Sequence, residues 1–162
     1  TLHRISNDTI KALYYIDYGH RKLPTEFLGY NLAKFRDEIL KTNYAYTVGG
    51  VFETSTFVGL NVTVVDNGTK WAKSLILNKN SSDVFFGDLF CMEFNTYAPS
   101  PEALMGADTL VGYYYSHDLI EIANNPSNKV SDSFKEFAKT VDELDNPILV
   151  TYTISKSAGL NK

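Results

Sequence analysis

The chain has 162 residues, of which 44% are hydrophobic and 21% charged, proportions of an ordinary globular domain and not of a disordered or membrane-embedded chain. Its formal net charge is -4, and its 15 lysines and arginines are scattered singly, so the basic stripe that nucleic-acid binding requires is missing. No run of about 18 apolar residues occurs, which excludes a transmembrane helix.

In chain order, residues 9 to 18 (TIKALYYIDY) are β-branched and aromatic and stop at Gly19, which predicts a strand. After Pro24, the residues Leu28, Leu32, Phe35 and Ile39 recur at helical spacing and predict one helix over 25–41. Strands follow over 44–52 and 57–65; in the second, Val58, Leu60, Val62 and Val64 alternate with Gly59, Asn61 and Thr63. Asp66-Asn67-Gly68 breaks the chain. Residues 69–79 carry Trp71, Ala72, Leu75 and Ile76, two pairs four apart, and predict a short helix. A strand over 83–94 completes the order β-α-β-β-α-β. This is an α+β, ferredoxin-like sandwich, with two helices on one face of a four-stranded antiparallel sheet.

A single domain over 1–162 is expected, with the ferredoxin-like core at 9–95 and a C-terminal extension of a helix and strands at 96–155. In the extension, Pro99 and Pro101 mark a loop, Leu110–Tyr115 predicts a strand, and His117–Asn124 is either a strand or a helical turn. Ser131 is a predicted N-cap for a helix carrying Phe134, Phe137, Val141 and Leu144, and a last strand runs from Ile148 to Ile154 after Pro147. Residues 156–162 read as a polar, mobile tail.

The usual catalytic sets are missing. His3, His20 and His117 lie far apart with no second His or Cys at ligand spacing, so no metal is expected. There is no nucleophile elbow, Walker loop or dinucleotide fingerprint, and Gly49-Gly50 predicts a β-bulge, not a phosphate cradle. Tyr113-Tyr114-Tyr115 reads as strand or interface packing and not as a base-stacking platform. The one cysteine, Cys91 in LFCMEF, rules out an intramolecular disulfide and reads as a buried thiol. With no signal-peptide block in TLHRISNDTI, a cytoplasmic location is expected. Four Asn-x-Ser/Thr triplets, at Asn7, Asn61, Asn67 and Asn80, are what a chain rich in these residues yields by chance.

One stretch carries a resemblance. Asn31, Phe35-Arg36, Leu40, Tyr44-Ala45-Tyr46, Gly49-Gly50-Val51-Phe52-Glu53, Ser55-Thr56-Phe57-Val58 and Asn80-Ser81-Ser82-Asp83-Val84-Phe85-Phe86 together resemble the small S-adenosylmethionine lyases of bacteriophages. The resemblance covers residues 31–86, about a third of the chain. It departs from the family pattern in having Asn80-Ser81-Ser82 near an expected glutamine and a short interval around ETST. It implies a PII-like ferredoxin unit assembled as a homotrimer, with the ligand between subunits.

The activity it implies is cleavage of S-adenosylmethionine to methylthioadenosine and homoserine lactone by attack of the substrate's own carboxylate, which would deplete the methyl donor and counter host restriction or methylation. Such a reaction needs no metal or cofactor, only a folded substrate and a poorly solvated carboxylate. By the resemblance, Glu53 would face the sulfonium, with Tyr44 and Tyr46 as catalytic-site walls or hydrogen-bond donors. Phe52 or Trp71 would line adenine, and Asn31 and Ser82 would bind the polar ends of the ligand. Each residue also has a plainer reading: Glu53 as a solvated strand end, Tyr44 and Tyr46 as core or interface side chains on one strand face, and Asn31 and Arg36 as helix-surface residues. Two other functions compete with the lyase, a non-catalytic PII-like nucleotide-binding module and a viral accessory protein that binds a host protein through its 11 tyrosines and 10 phenylalanines.

Overall fold

The computed structural model describes residues 2–6 and 9–154; Asn7 and the tail at 156–162 lie outside the described residues. The described residues form two compact units, one within 1–46 and 64–71, the other within 47–63 and 72–162.

In the first unit, β1 (Leu2–Ser6) and β2 (Thr9–Tyr14) pair antiparallel as a two-stranded ribbon. The helix expected over 25–41 is split in two. Thr25–Gly29 forms a 3-10 turn, Asn31 is extended (φ -71°, ψ 166°), and only Leu32–Ile39 is α-helical, α1. The Asn31 side chain accepts a hydrogen bond from the Lys34 backbone N–H at 2.9 Å, which satisfies one of the unpaired donors of the helix start. That restart shifts the phase of the apolar stripe. Phe35 and Ile39 point inward while Leu28 and Leu32 stay exposed. The core consists of Phe27, Ile39 and Val65, with Leu23, Tyr30, Phe35, Tyr44 and Tyr46 packed around them.

Next come β3 (Ala45–Glu53), β4 (Phe57–Asp66), β5 (Thr69–Asn78) and β6 (Val84–Gly87), which form one sheet in that order. The second predicted helix is therefore a strand. The cause is the turn before it: Asn67 at φ 48° and Gly68 at φ 79° are the two left-handed positions of an Asn-Gly hairpin, whose twist returns the chain as an adjacent strand. With 69–78 extended, the sheet is a meander and the β-α-β-β-α-β order is not formed. The α+β class stands, with three α-helices and mostly antiparallel strands among the described residues. Gly50, at φ 64° within β3, makes room for Asn61; a Cβ there would lie 2.2 Å from the Asn61 amide nitrogen.

The second unit also holds a short hairpin, β7 (Phe90–Cys91) with β8 (Thr96–Tyr97), and then β9 (Ala103–Met105) and β10 (Thr109–Tyr114). Helices α2 (Ser116–Asn124) and α3 (Asp132–Ala138) follow, and β11 (Ile148–Tyr152) ends the described fold. The segment from 117 is helical. Ser131 caps α3, its Oγ accepting from the Phe134 N–H at 3.3 Å. That helix stops at Ala138, so Leu144 lies outside it and is exposed. The strands order as β11-β10-β9, all antiparallel.

Alternation along β10 sets the packing: Leu110, Gly112 and Tyr114 are buried while Tyr113 is exposed. Leu110 joins Phe52 and Ile76 in one apolar cluster with Phe57, Phe85, Leu104 and Tyr152 around it. Tyr114 joins Leu119, Val130, Phe134 and Ala138 in a second, against Ile148 and Val150. One face of the β11-β10-β9 sheet is thus covered by apolar side chains and helices. Among the described residues, no helix is long and apolar enough to cross a membrane.

Candidate functional site

The seven side chains expected at a ligand site are mostly occupied elsewhere. Tyr44 and Tyr46 stand edge-on to Phe27 and Phe35, with ring centroids 5.8 and 5.4 Å apart, and so supply the first unit's core. Asn31 caps α1. Trp71, in the same unit, is half exposed. In the second unit, Phe52 is 3% exposed and its ring lies over Gly59. Ser82 sits at φ 61° in the turn between β5 and β6, its N–H bonded to the Asn78 carbonyl at 2.8 Å.

Glu53 closes β3 with its carboxylate 3.4 Å from Lys79 Nζ, and the same ammonium also donates to the Thr54 carbonyl. Lys79 is thereby tied to the strand end, and the Glu53 carboxylate has a cation already beside it. Neither tyrosine of the expected trio shares the second unit with Glu53.

A cleft and a groove lie among the described residues of the second unit. A cleft of about 120 Å³ is lined by Thr54, Ser55, Thr56, Asp108 and Thr153 over Phe57, Leu110 and Ile154. In it Ser55 Oγ donates to Asp108 Oδ1 at 2.9 Å, and its N–H reaches the same oxygen at 3.2 Å. The volume falls below the roughly 300–1,000 Å³ of drug-sized ligand sites. A second groove, about 390 Å³, runs between α2 and α3 over Ile120, Ala123 and Val141. Its rim is made of the Lys135–Asp132 and Lys139–Glu136 pairs. Among the described residues no cluster of His, Cys, Asp and Glu could hold a metal ion.

The uncovered face of the β11-β10-β9 sheet is different in kind. Met105, Tyr113, Tyr115 and Leu149 are 57, 38, 48 and 72% exposed. Tyr113 is the cross-strand neighbour of Leu149. Tyr115, still extended at φ -66° and ψ 144°, continues the strand alternation and meets Tyr113 edge-to-face at 5.3 Å. His117 stacks on Tyr115 at 5.6 Å, and its Nε2 is 3.1 Å from Asp118 Oδ1. Hydrogen bonding with Tyr115 pushes the Tyr113 phenol up from its ordinary range. The perpendicular rings make a ridge, not the flat surface on which bases or sugars stack, and the ridge has aromatic, aliphatic and hydroxyl components side by side.

The tyrosine run is visible in the sequence, but which half of it is exposed is not. Strand parity separates Tyr113 and Tyr115 from the buried Tyr114, and that parity becomes meaningful only once Leu110 and Gly112 are known to face inward.

No family model and no curated protein matches the chain. Among solved structures, the fold is similar to that of a Bacteroides fragilis protein named as exported, with a TM-score of 0.62 and 16% identity. The match covers 94% of this chain and 44% of that one, so the chain spans less than half the length of its structural neighbour. At this identity the likeness shows the fold alone.

Proposed function

We propose that this protein is a binding module that engages another protein through the open face of the β11-β10-β9 sheet. The observation that supports this is the set of four large apolar or aromatic side chains, Met105, Tyr113, Tyr115 and Leu149, left exposed on one sheet face. Contiguous exposed apolar surface of this kind marks interaction sites, and tyrosine and methionine are enriched in them. Affinity capture with the native chain and with a Tyr113→Ser/Tyr115→Ser variant tests the reading. A partner held by the former and lost by the latter, at unchanged circular dichroism, supports it. Equal retention by both removes it.

The lyase suggested by the resemblance is the second reading, and it rests on the exposed strand-end carboxylate of Glu53. In that reading, a trimer would supply the aromatic walls from neighbouring copies, and depletion of the methyl donor would blunt host restriction or methylation. Incubation with S-adenosylmethionine and assay for methylthioadenosine separates it from the binding module and from the nucleotide sensor, which would bind without turnover. For location, the single cysteine supports a reducing cytoplasm, whereas the exported name of the structural neighbour supports the opposite. Fractionation of the source cell decides between them.

A further inference from the structure

We propose that β11 is a dimerisation edge, at which two copies of this chain pair their Ile148–Tyr152 strands antiparallel about a two-fold axis at Val150. β11 stands last in the order β11-β10-β9, so one side is bonded to β10 and the other meets no strand among the described residues. Backbone N–H and C=O groups along such an edge require partners, and the partner whose geometry fits them all is another strand.

The other edges of the three- and four-stranded sheets are guarded. β9 has three residues, β3 is interrupted by Gly50 at φ 64° and ends in Glu53, and β6 has four residues between Asp83 and Asp88. β11 contains no charge and no proline; Pro147 precedes it. Charge therefore selects this edge for a second copy. Two copies of a chain of net charge -4 repel overall, while self-pairing here apposes only Ile, Leu, Val, Thr and Tyr.

The register is self-complementary. A two-fold at Val150 sets Ile148 against Tyr152 of the second copy and Leu149 against Thr151 of the second copy. Ile148, Val150 and Tyr152 pack toward the apolar clusters, and Leu149 and Thr151 lie on the exposed side, so each pair meets on its own face. The exposed Leu149 gains a β-branched neighbour. Because the contact is isologous it closes at two copies, and two three-stranded sheets become one of six strands.

The experiment is molar mass in solution for three versions of the full chain, measured by light scattering and sedimentation. The native chain is expected at twice its 18.2 kDa. Leu149→Lys/Thr151→Lys places like charges directly opposite across the two-fold and is expected to be monomeric with unchanged circular dichroism. Leu149→Lys/Thr151→Glu alters the same positions but places opposite charges across the axis, and is expected to remain a dimer. A native monomer or trimer overturns the proposal, as does a lysine pair that leaves the dimer intact or a Lys/Glu pair that dissociates it. Leu149 belongs to both surfaces, so these variants are scored by molar mass alone, while the capture test changes Tyr113 and Tyr115, neither of which belongs to β11.

Discussion

Replacing Gly59 by alanine tests the packing of the second unit at one atom. Gly59 is buried in β4 beneath the ring of Phe52. A Cβ there would stand 2.1 Å from Phe52 Cζ and 2.6 and 2.7 Å from its two Cε atoms. The ring would have to retreat by more than about 1 Å to regain ordinary contact, and it is itself packed against Ile76 and Leu110. Overpacking of this sort costs about 1–3 kcal/mol, equivalent to about 2–12 °C in Tm for a chain of this size. The sign is informative, because removing a glycine from an open strand position would stabilise by roughly 0.5–1 kcal/mol. Urea and thermal melts followed by circular dichroism measure the change. Phe52→Leu should lose less stability in the alanine background than in the native one, with a coupling of about 1 kcal/mol or more in the double-mutant cycle. An alanine variant as stable as the native chain, or strictly additive effects, would refute the close approach of the Phe52 ring to Gly59.

Other expectations follow from single contacts. Phe134→Ala empties a fully buried position and should cost about 3–5 kcal/mol in a urea melt, whereas Ser131→Ala removes only the α3 cap and should cost about 1 kcal/mol. Glu53→Gln breaks a partly exposed pair with Lys79 and should change stability by less than about 1 kcal/mol; a loss of methylthioadenosine formation in the same variant would require the lyase. Burial pushes the Tyr114 phenol up to about 12 and raises that of Tyr152 as well. Both rings are harder to ionise folded than unfolded, so their contribution is complete below about pH 10 and is lost as pH rises toward 12. Tm measured between pH 9 and 12 should therefore fall, and less steeply in Tyr152→Phe.

Much of the fold was legible where local chemistry and periodicity agreed. The strands at 45–53 and 57–66, the cap at Ser131 and the final strand after Pro147 were marked by alternation, by a hydroxyl at the helix start and by proline. The segment 69–78 reads as a helix because Trp71/Leu75 and Ala72/Ile76 satisfy a spacing of four, but that spacing also places residues on one face of a strand. There, Asn67-Gly68 is the decisive signal, since a hairpin turn, unlike a plain break, commits the next segment to a strand. The split at Asn31 was concealed by an apolar pattern that continues through it, since Leu28 and Leu32 keep helical spacing while pointing to solvent. The candidate surface was less legible still, because an exposed tyrosine and a buried one are the same letter at adjacent positions.

The resemblance and the packing make opposite use of the same residues. Sulfonium recognition asks for aromatic faces turned toward a cavity with a carboxylate nearby, each face contributing roughly 0.5–2 kcal/mol. In the first unit those faces are spent on one another: Phe27, Phe35, Tyr44 and Tyr46 meet edge-to-face and surround Ile39 and Val65, both fully buried. Exposing Tyr44 or Tyr46 to a ligand would therefore open that core, a cost comparable to the binding energy gained. Tyr113 and Tyr115 carry no such obligation, since Leu110 and Tyr114 already fill the inner side of their sheet. Aromatic side chains free of core duty are the ones a partner can engage without unfolding anything, which is why the open sheet face, and not the Y-A-Y strand, is the place to look for binding.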